Sequence, residues 1–214
     1  LRRAPDAKAI MAVDWGGAPC DYDALKSFGL PVIEDAAHAL GATHRGEPIA
    51  RSGGDYVCWS FQAIKHLSTG DGGALKTPPT QHERARKLRW YGLDRRSKAS
   101  FRFEQNIEEI GYKYHMNDIA AAIGLANIGS MPEIVRQHRE NARFYETRLA
   151  SFVALPQWTE ESAWWLYTLR VSDRPAFIRW MADQGVETSP VHARNDRHIA
   201  FARASGPTAQ LPGL

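Results

Sequence analysis

The sequence predicts an α/β protein, with a mostly parallel sheet covered by helices and a smaller α+β lobe after it. Three observations predict this. Short apolar runs alternate with helical stretches between residues 8 and 77, the strand–helix–strand order that builds a parallel sheet. The run "PVIEDAAH" (31–38) ends in acid, as strands of open α/β sheets do where they deliver side chains to a ligand. The pattern then changes near residue 130, where a long amphipathic helix leads into shorter mixed elements.

The elements follow in order. "KAIMAVDW" (8–15) has the apolar density of a buried strand. "DYDALKSFGL" (21–30) reads as a short helix, capped by Asp21 or Asp23 and stopped at Gly29. "PVIEDAAH" (31–38), "GDYVCWSF" (54–61) and "GGALKT" (72–77) are further strands. "QHERARKLRWYG" (81–92) is a helix ending at Gly92, and the polar stretch 93–110 is a long loop of the kind that often carries function. "MNDIAAAIGLANI" (116–128) is an Ala-rich helix suited to packing on another helix or subunit. "MPEIVRQHRENARFYETRLA" (131–150) is amphipathic, with Pro132 in its first turn. In the second lobe, "WWLYTLRV" (164–171) and "VETSPV" (186–191) read as strands around a helix, "RPAFIRWMADQG" (174–185).

Composition narrows the class. With 43% hydrophobic and 24% charged residues, the 214-residue chain is neither disordered nor a membrane protein. The net charge of +3 comes from scattered arginines, which argues against a nucleic-acid partner. Two cysteines, Cys20 and Cys58, fit a reducing, cytoplasmic setting rather than a disulfide scaffold. No signal-peptide pattern opens the chain. It starts at Leu1 and stops at "AQLPGL", and both ends look cut, so a fragment of a longer protein is expected.

The stretch "SFQAIKHLSTGDGGALKT" (60–77) carries one lysine between apolar Ile64 and Leu67. A lysine becomes a nucleophile when it is desolvated. Hydroxyl side chains at Ser60, Ser68 and Thr69 and the glycines of "TGDGG" (69–73) supply what a phosphate beside that amine needs. Taken alone, the stretch reads better as a surface lysine in a turn. Asp35 changes the weighing, because a carboxylate at a strand's carboxyl end can face a pyridine nitrogen and keep it protonated. The competing reading of Asp35 is a helix N-cap, and that of His38 a packed core histidine.

"PVIEDAAHALGA", "GDYVCWSFQAIKHLSTGDGGAL" and "GYKYHMNDIAAAIGLANI", in this order and spacing, resemble the DegT/DnrJ/EryC1/StrS family of sugar aminotransferases. "VDWGG" (13–17) and "WYGLDRR" (90–96) add to the resemblance. It implies the aspartate-aminotransferase-type fold of pyridoxal 5′-phosphate (PLP) enzymes, here truncated at both ends, and a homodimer with shared active sites. Residues 1–129 then form the C-terminal part of the PLP-binding large domain, and 130–214 an incomplete small α+β domain.

The same resemblance implies roles. Lys65 matches the Schiff-base lysine, Asp35 the partner of the pyridine nitrogen, His38 a contact to the ring oxygen and Ser60 a phosphate ligand. The run with Lys113, His115 and Asn117 matches a segment that reaches the partner subunit's cofactor, and which of the three does so stays open. Arg95, Arg96 or Lys98 on the long loop are candidates for a substrate diphosphate, against a solvated charged loop. His192 and Arg194 in "SPVHARNDRH" (189–198) match a loop near the substrate, against a polar surface loop. The Trp164–Trp165 pair reads as core or strand packing. One branch of the family has histidine in place of the lysine and dehydrates its sugar. Lysine at 65, followed by His66, favours transamination.

The implied reaction moves an amino group from an amino acid, glutamate by resemblance, to a keto group of a nucleotide-linked deoxysugar used in surface-polysaccharide or secondary-metabolite synthesis. No metal is called for. Rival readings are a catalytically incomplete fragment acting as a dimerisation or binding module, and another PLP activity such as a lyase. A Rossmann oxidoreductase is weaker still, since no G-x-G-x-x-G follows a strand.

Overall fold

The computed structural model describes residues 5–98, 101–157, 159–192 and 198–201. The chain divides into two compact units, Leu1–Leu169 and Arg170–Leu214. The first unit opens with strand β1 (Ile10–Val13) and helix α1 (Tyr22–Lys26), whose N-cap Asp21 accepts a hydrogen bond from Ala24 N. Strand β2 (Val32–Asp35) follows, then a small hairpin of β3 (Thr43–His44) and β4 (Glu47–Pro48), and the single-turn helix α2 (Ile49–Ser52). Strands β5 (Tyr56–Ser60) and β6 (Gly73–Lys76) flank the Lys65 loop. Helices α3 (His82–Leu88), α4 (Asp118–Asn127) and α5 (Met131–Leu149) complete the unit.

The sheet order is β1-β2-β5-β6. The first three strands run parallel, with Val13 opposite Asp35 and Asp35 opposite Cys58. β6 runs back antiparallel to β5, pairing Gly73 with Ser60. The mostly parallel sheet is thus present, and the carboxyl ends of β2 and β5 lie side by side.

Two apolar clusters hold it. Ala36, Ala39, Ala42, Ile49, Val57 and Ala163 pack together with Trp59 against them, and Ala12, Tyr22 and Val32 form the other. The alanines after β2 are small because two turns stack there: Ala39 N bonds Ala36 O and Ala42 N bonds Ala39 O. α5, which buries Val135 and Ala142, lies beside this segment, where its Arg139 donates to Gly41 O at 3.2 Å.

The second unit contains helix α6 (Arg174–Asp183), capped by Asp173 Oδ1 on Ala176 N at 2.9 Å. Gly185, at φ +75°, ends it, where Val186 N returns to Met181 O. The strands expected over 164–171 and 186–191 do not form among the described residues. At Trp164 φ is +50°, which breaks an extended run. The amides of Ala163 and Leu166 bond the carbonyls of Gly17 and Gly16 instead of a neighbouring strand. For 186–191 no ladder partner lies among the described residues, and a strand without one is not stable.

Burial of acid inside the sheet was not expected. Glu34 and Asp14 are both fully buried. Tyr22 Oη donates to Asp14 Oδ1 at 2.6 Å, Cys20 N to the same oxygen at 3.0 Å, and Gly54 N to Glu34 Oε2 at 2.5 Å. Burial, then the hydrogen bond and charge of Asp14, push the Glu34 carboxyl up toward about 8. Among the described residues no helix is long and apolar enough to cross a membrane.

A pH prediction follows from Glu34. Its folded pKa lies above the unfolded value of about 4.3. The folded chain therefore holds a proton that the unfolded chain has lost, and this contribution to stability is full below that value and fades as pH rises toward 8. In urea melts between pH 5 and 8, Glu34→Gln is expected to flatten the decline in stability by up to about 1.4 kcal/mol per pH unit. Identical slopes in the variant and the parent would show that Glu34 is ionised in the fold.

Candidate active site

Asp35 is the last residue of β2 and Ser60 the last of β5. In an open α/β sheet this edge is where ligands bind. Asp35 is half-buried, and its Oδ1 accepts from Ala37 N at 3.0 Å. No helix follows it, so the N-cap reading fails in favour of a local turn. Its second oxygen accepts no hydrogen bond among the described residues. Ser60 Oγ accepts from Gln62 N at 3.3 Å, turning the chain sharply out of β5.

The loop 61–72 closes on itself. Phe61 N bonds Gly72 O, Lys65 N bonds Gln62 O, and Thr69 N returns to Phe61 O. Thr69 Oγ1 donates to Asp71 O at 2.7 Å. Gly73 has to be glycine, since a Cβ there would stand 2.5 Å from Trp59 O. Asn127 Nδ2 of α4 donates to Ser68 O at 3.0 Å and pins the loop from outside. Lys65 is therefore held by a closed frame.

Its surroundings are aromatic. Lys65 Nζ lies 3.7 Å from the centre of the Trp165 ring. Trp165 Nε1 donates to Ile64 O at 2.9 Å. The Trp165 ring stacks on His38 at 3.9 Å with an interplanar angle of 28°, and Trp15 meets His38 edge-on at 4.9 Å. His38 Nδ1 accepts from Gly16 N at 3.3 Å. Burial pushes the Lys65 amine below its usual range, and the charge of Asp35 opposes that shift. The structure thus gathers Lys65, Asp35 and His38 into one cluster, with Ser60 at its rim.

Two members were not singled out from sequence. Trp165 reaches the Ile64 carbonyl beside Lys65 across 101 residues of chain separation, and nothing local marks it. His66 is buried beside His138, ring centres 4.6 Å apart, and its Nε2 has no hydrogen-bond partner among the described residues. Burial, then His138 and Lys65, push it down to about 4, so it is neutral at physiological pH. The one sequence signal for it is its adjacency to Lys65.

Other predicted residues fall elsewhere. Lys113 pairs with Trp90 in an isolated bridge, and the His115 ring meets Trp90 perpendicularly at 3.8 Å. The Arg95 guanidinium lies 5.2 Å over the same Trp90 ring. Trp90, Arg95 and His115, with Arg86 and Arg89, border a surface pocket. Arg96 is engaged with Glu83 at 2.7 Å. Asn117 caps α4, its Oδ1 accepting from Ala120 N at 2.8 Å. His192 belongs to the second unit. Arg194 lies outside the described residues.

The residues at the Lys65 cluster fit PLP. A desolvated amine, a carboxylate with an oxygen to spare and a hydroxyl at the loop entrance are the donor set that such a group needs.

Comparisons with known proteins agree. The chain is similar to AtS13 from Actinomadura melliaura, at 41% identity and a TM-score of 0.87, over 95% of this chain and 58% of that one. It is similar to the sugar aminotransferase CalS13 from Micromonospora echinospora, at 38% identity and a TM-score of 0.83, over 94% of this chain and 58% of the other. Spr1654 from Streptococcus pneumoniae, whose structure is a PLP-form, matches at 26% identity and a TM-score of 0.79, over 93% of this chain and 58% of its own. The chain thus spans 58% of the length of each of these relatives. The fold is the fold type I sugar-aminotransferase fold that these structures share. The model of the DegT/DnrJ/EryC1/StrS aminotransferase family matches residues 3–212, and with Lys65, Asp35 and His38 gathered as described, the chain belongs to that family.

Proposed function

We propose that the whole protein is a PLP-dependent aminotransferase that moves an amino group from an amino acid, glutamate, to a keto carbon of a nucleotide-linked deoxysugar. The observation that carries this reading is the desolvated Lys65 amine held over Trp165 and beside Asp35 at the carboxyl edge of the parallel strands. The names of the relatives support a sugar acceptor. Lys65 would hold the cofactor covalently, and Asp35 would keep its ring nitrogen protonated. His38 would lie against the ring and its phenolic oxygen, and Ser60 would donate to the phosphate. When bound, the group supplies an electron sink for the donor's α-carbon.

The chain's own residues do the rest. The Lys65 amine takes the proton from the donor's α-carbon and returns it as general acid. Its lowered pKa favours the neutral, proton-accepting form. Trp165 covers the amine and excludes water from that side, which strengthens the field of Asp35 there. Arg95, His192 and Arg194 are the candidates for the nucleotide-linked substrate.

A cytoplasmic homodimer completes the reading. α4 buries no side chain, and Ile119 and Leu125 on it are each 76% exposed. An apolar face of that kind fits a second subunit. Lys113, His115 and Asn117, next to it, would then serve the partner's cofactor. Asn117 already caps α4 through its oxygen, which favours Lys113 or His115 for that role. The proposed large-domain and small-domain portions are residues 1–129 and 130–214.

The test uses the full-length protein. With PLP, glutamate and a nucleotide-linked keto sugar, 2-oxoglutarate is expected to appear together with amino sugar. Lys65→Ala is expected to reduce this by more than about a thousandfold while leaving the circular dichroism spectrum unchanged. Turnover by Lys65→Ala, or amination of simple keto acids with no sugar turnover, would overturn the reading. Asp35→Asn is expected to weaken cofactor affinity about 10- to 100-fold, as loss of a charged hydrogen bond does. Equal affinity by equilibrium dialysis would remove Asp35 from the ring nitrogen.

A further inference from the structure

A protonated lysine over an indole face is stabilised by the ring's quadrupole, and a neutral amine is not. Lys65 Nζ sits 3.7 Å from the Trp165 centroid, well inside the range of that interaction. The indole itself is fixed at three points. Its Nε1 donates to Ile64 O, the carbonyl next to Lys65. Its face stacks on His38. Its backbone follows Trp164, which is hydrogen-bonded through N to Ser162 Oγ at 3.0 Å and through Nε1 to Thr159 O at 2.9 Å. The lysine, by contrast, has four rotatable side-chain bonds. A rigid aromatic therefore fixes a flexible amine.

We infer that Trp165 is a positioning residue for Lys65, holding the free side chain as an ammonium over its ring until a carbonyl compound draws the amine away. The inference rests on the reading of Lys65 as the cofactor lysine and adds what governs its reactivity. To attack a carbonyl carbon, Nζ must first lose its proton, and with it the attraction to the indole. The amine then forms a C=N bond to the carbonyl carbon, and the carbonyl oxygen leaves as water. Trp165 thus opposes the burial that favours the neutral amine. The other charged or titratable groups facing Nζ are Asp35 on β2, whose charge also favours the ammonium, and the neighbouring His66 and His38. His66 is neutral and adds no charge at physiological pH.

Two substitutions separate the ring's electronic effect from its bulk. Trp165→Leu keeps an apolar wall but removes the π face. Trp165→Phe keeps a π face. The measurement is trace acetylation of the 214-residue chain by acetic anhydride across pH 6–11, without cofactor, with the Lys65 peptide quantified by mass spectrometry. The expected result is a midpoint lower by about 0.5–1 pH unit in Trp165→Leu, with Trp165→Phe within about 0.2 unit of the parent. Faster labelling of Lys65 at pH 7 should accompany the Leu shift. A merely structural tryptophan predicts the same midpoint in Leu and Phe, and that result overturns the inference.

A second readout covers failure of the Leu variant to fold. The tryptophan emission of the parent is expected to titrate with the Lys65 labelling midpoint, and that component should vanish in both Trp165→Phe and Lys65→Met. Persistence of the component in either variant contradicts contact between the two groups. Neither measurement uses PLP, so failure here is distinguishable from failure of the aminotransferase reading.

Discussion

Two adjacent glycines set the geometry on which the site depends. A Cβ at Gly17 would stand 2.7 Å from Trp164 N and 2.9 Å from His38 O, and at Gly16 one would stand 3.2 Å from Leu166 O. Both have positive φ, Gly16 at +65° and Gly17 at +101°. Only glycine lets the backbone of 163–166 run this close to the turn after β1. The hydrogen bonds Ala163 N to Gly17 O and Leu166 N to Gly16 O then fix that segment. α5 holds its other side: Arg139 Nε donates to Ser162 O at 2.9 Å, and His138 Nδ1 bonds Trp164 O at 2.9 Å. Trp165 reaches Lys65 as the consequence of these contacts.

The electrostatics of the region share one cause. Burial disfavours charge, and each group answers according to its partners. His66 has no carboxylate partner among the described residues and stays neutral. Lys65 is pushed down by burial too, and the charge of Asp35 opposes that shift. Glu34 has another acid beside it and holds its proton. The carboxyl edge of the sheet thus keeps Asp35 half-buried, while the acid one residue earlier, Glu34, points into the core. Alternation along a strand places them on opposite faces.

Much of this architecture was legible because it is local. Strand periods, the cap at Asp21 and the glycine stop after α6 depend on neighbours within a few residues, and the structure has them. The long motifs around Asp35 and Lys65 pointed to the family that the comparisons show. What stayed hidden depends on distant pairing. "WWLYTLRV" has strand composition, yet its amides go to Gly16 and Gly17. Trp165 looked like packing because its partner lies a hundred positions away. "VIED" looked apolar enough to be a plain buried strand, and burial of Glu34 became visible only with Asp14 and Gly54 in place. A turn reading for Lys65 and a capping reading for Asp35 were separable only once the sheet edge brought the two together.

Covalent chemistry at one lysine is the centre of the account, and it can be read directly. The chain would be incubated with PLP, reduced with borohydride, digested and mapped by mass spectrometry. The account predicts a pyridoxyl adduct concentrated on the peptide carrying Lys65, in preference to Lys76 and Lys113. Adducts spread evenly over exposed lysines, with none enriched at Lys65, would contradict it.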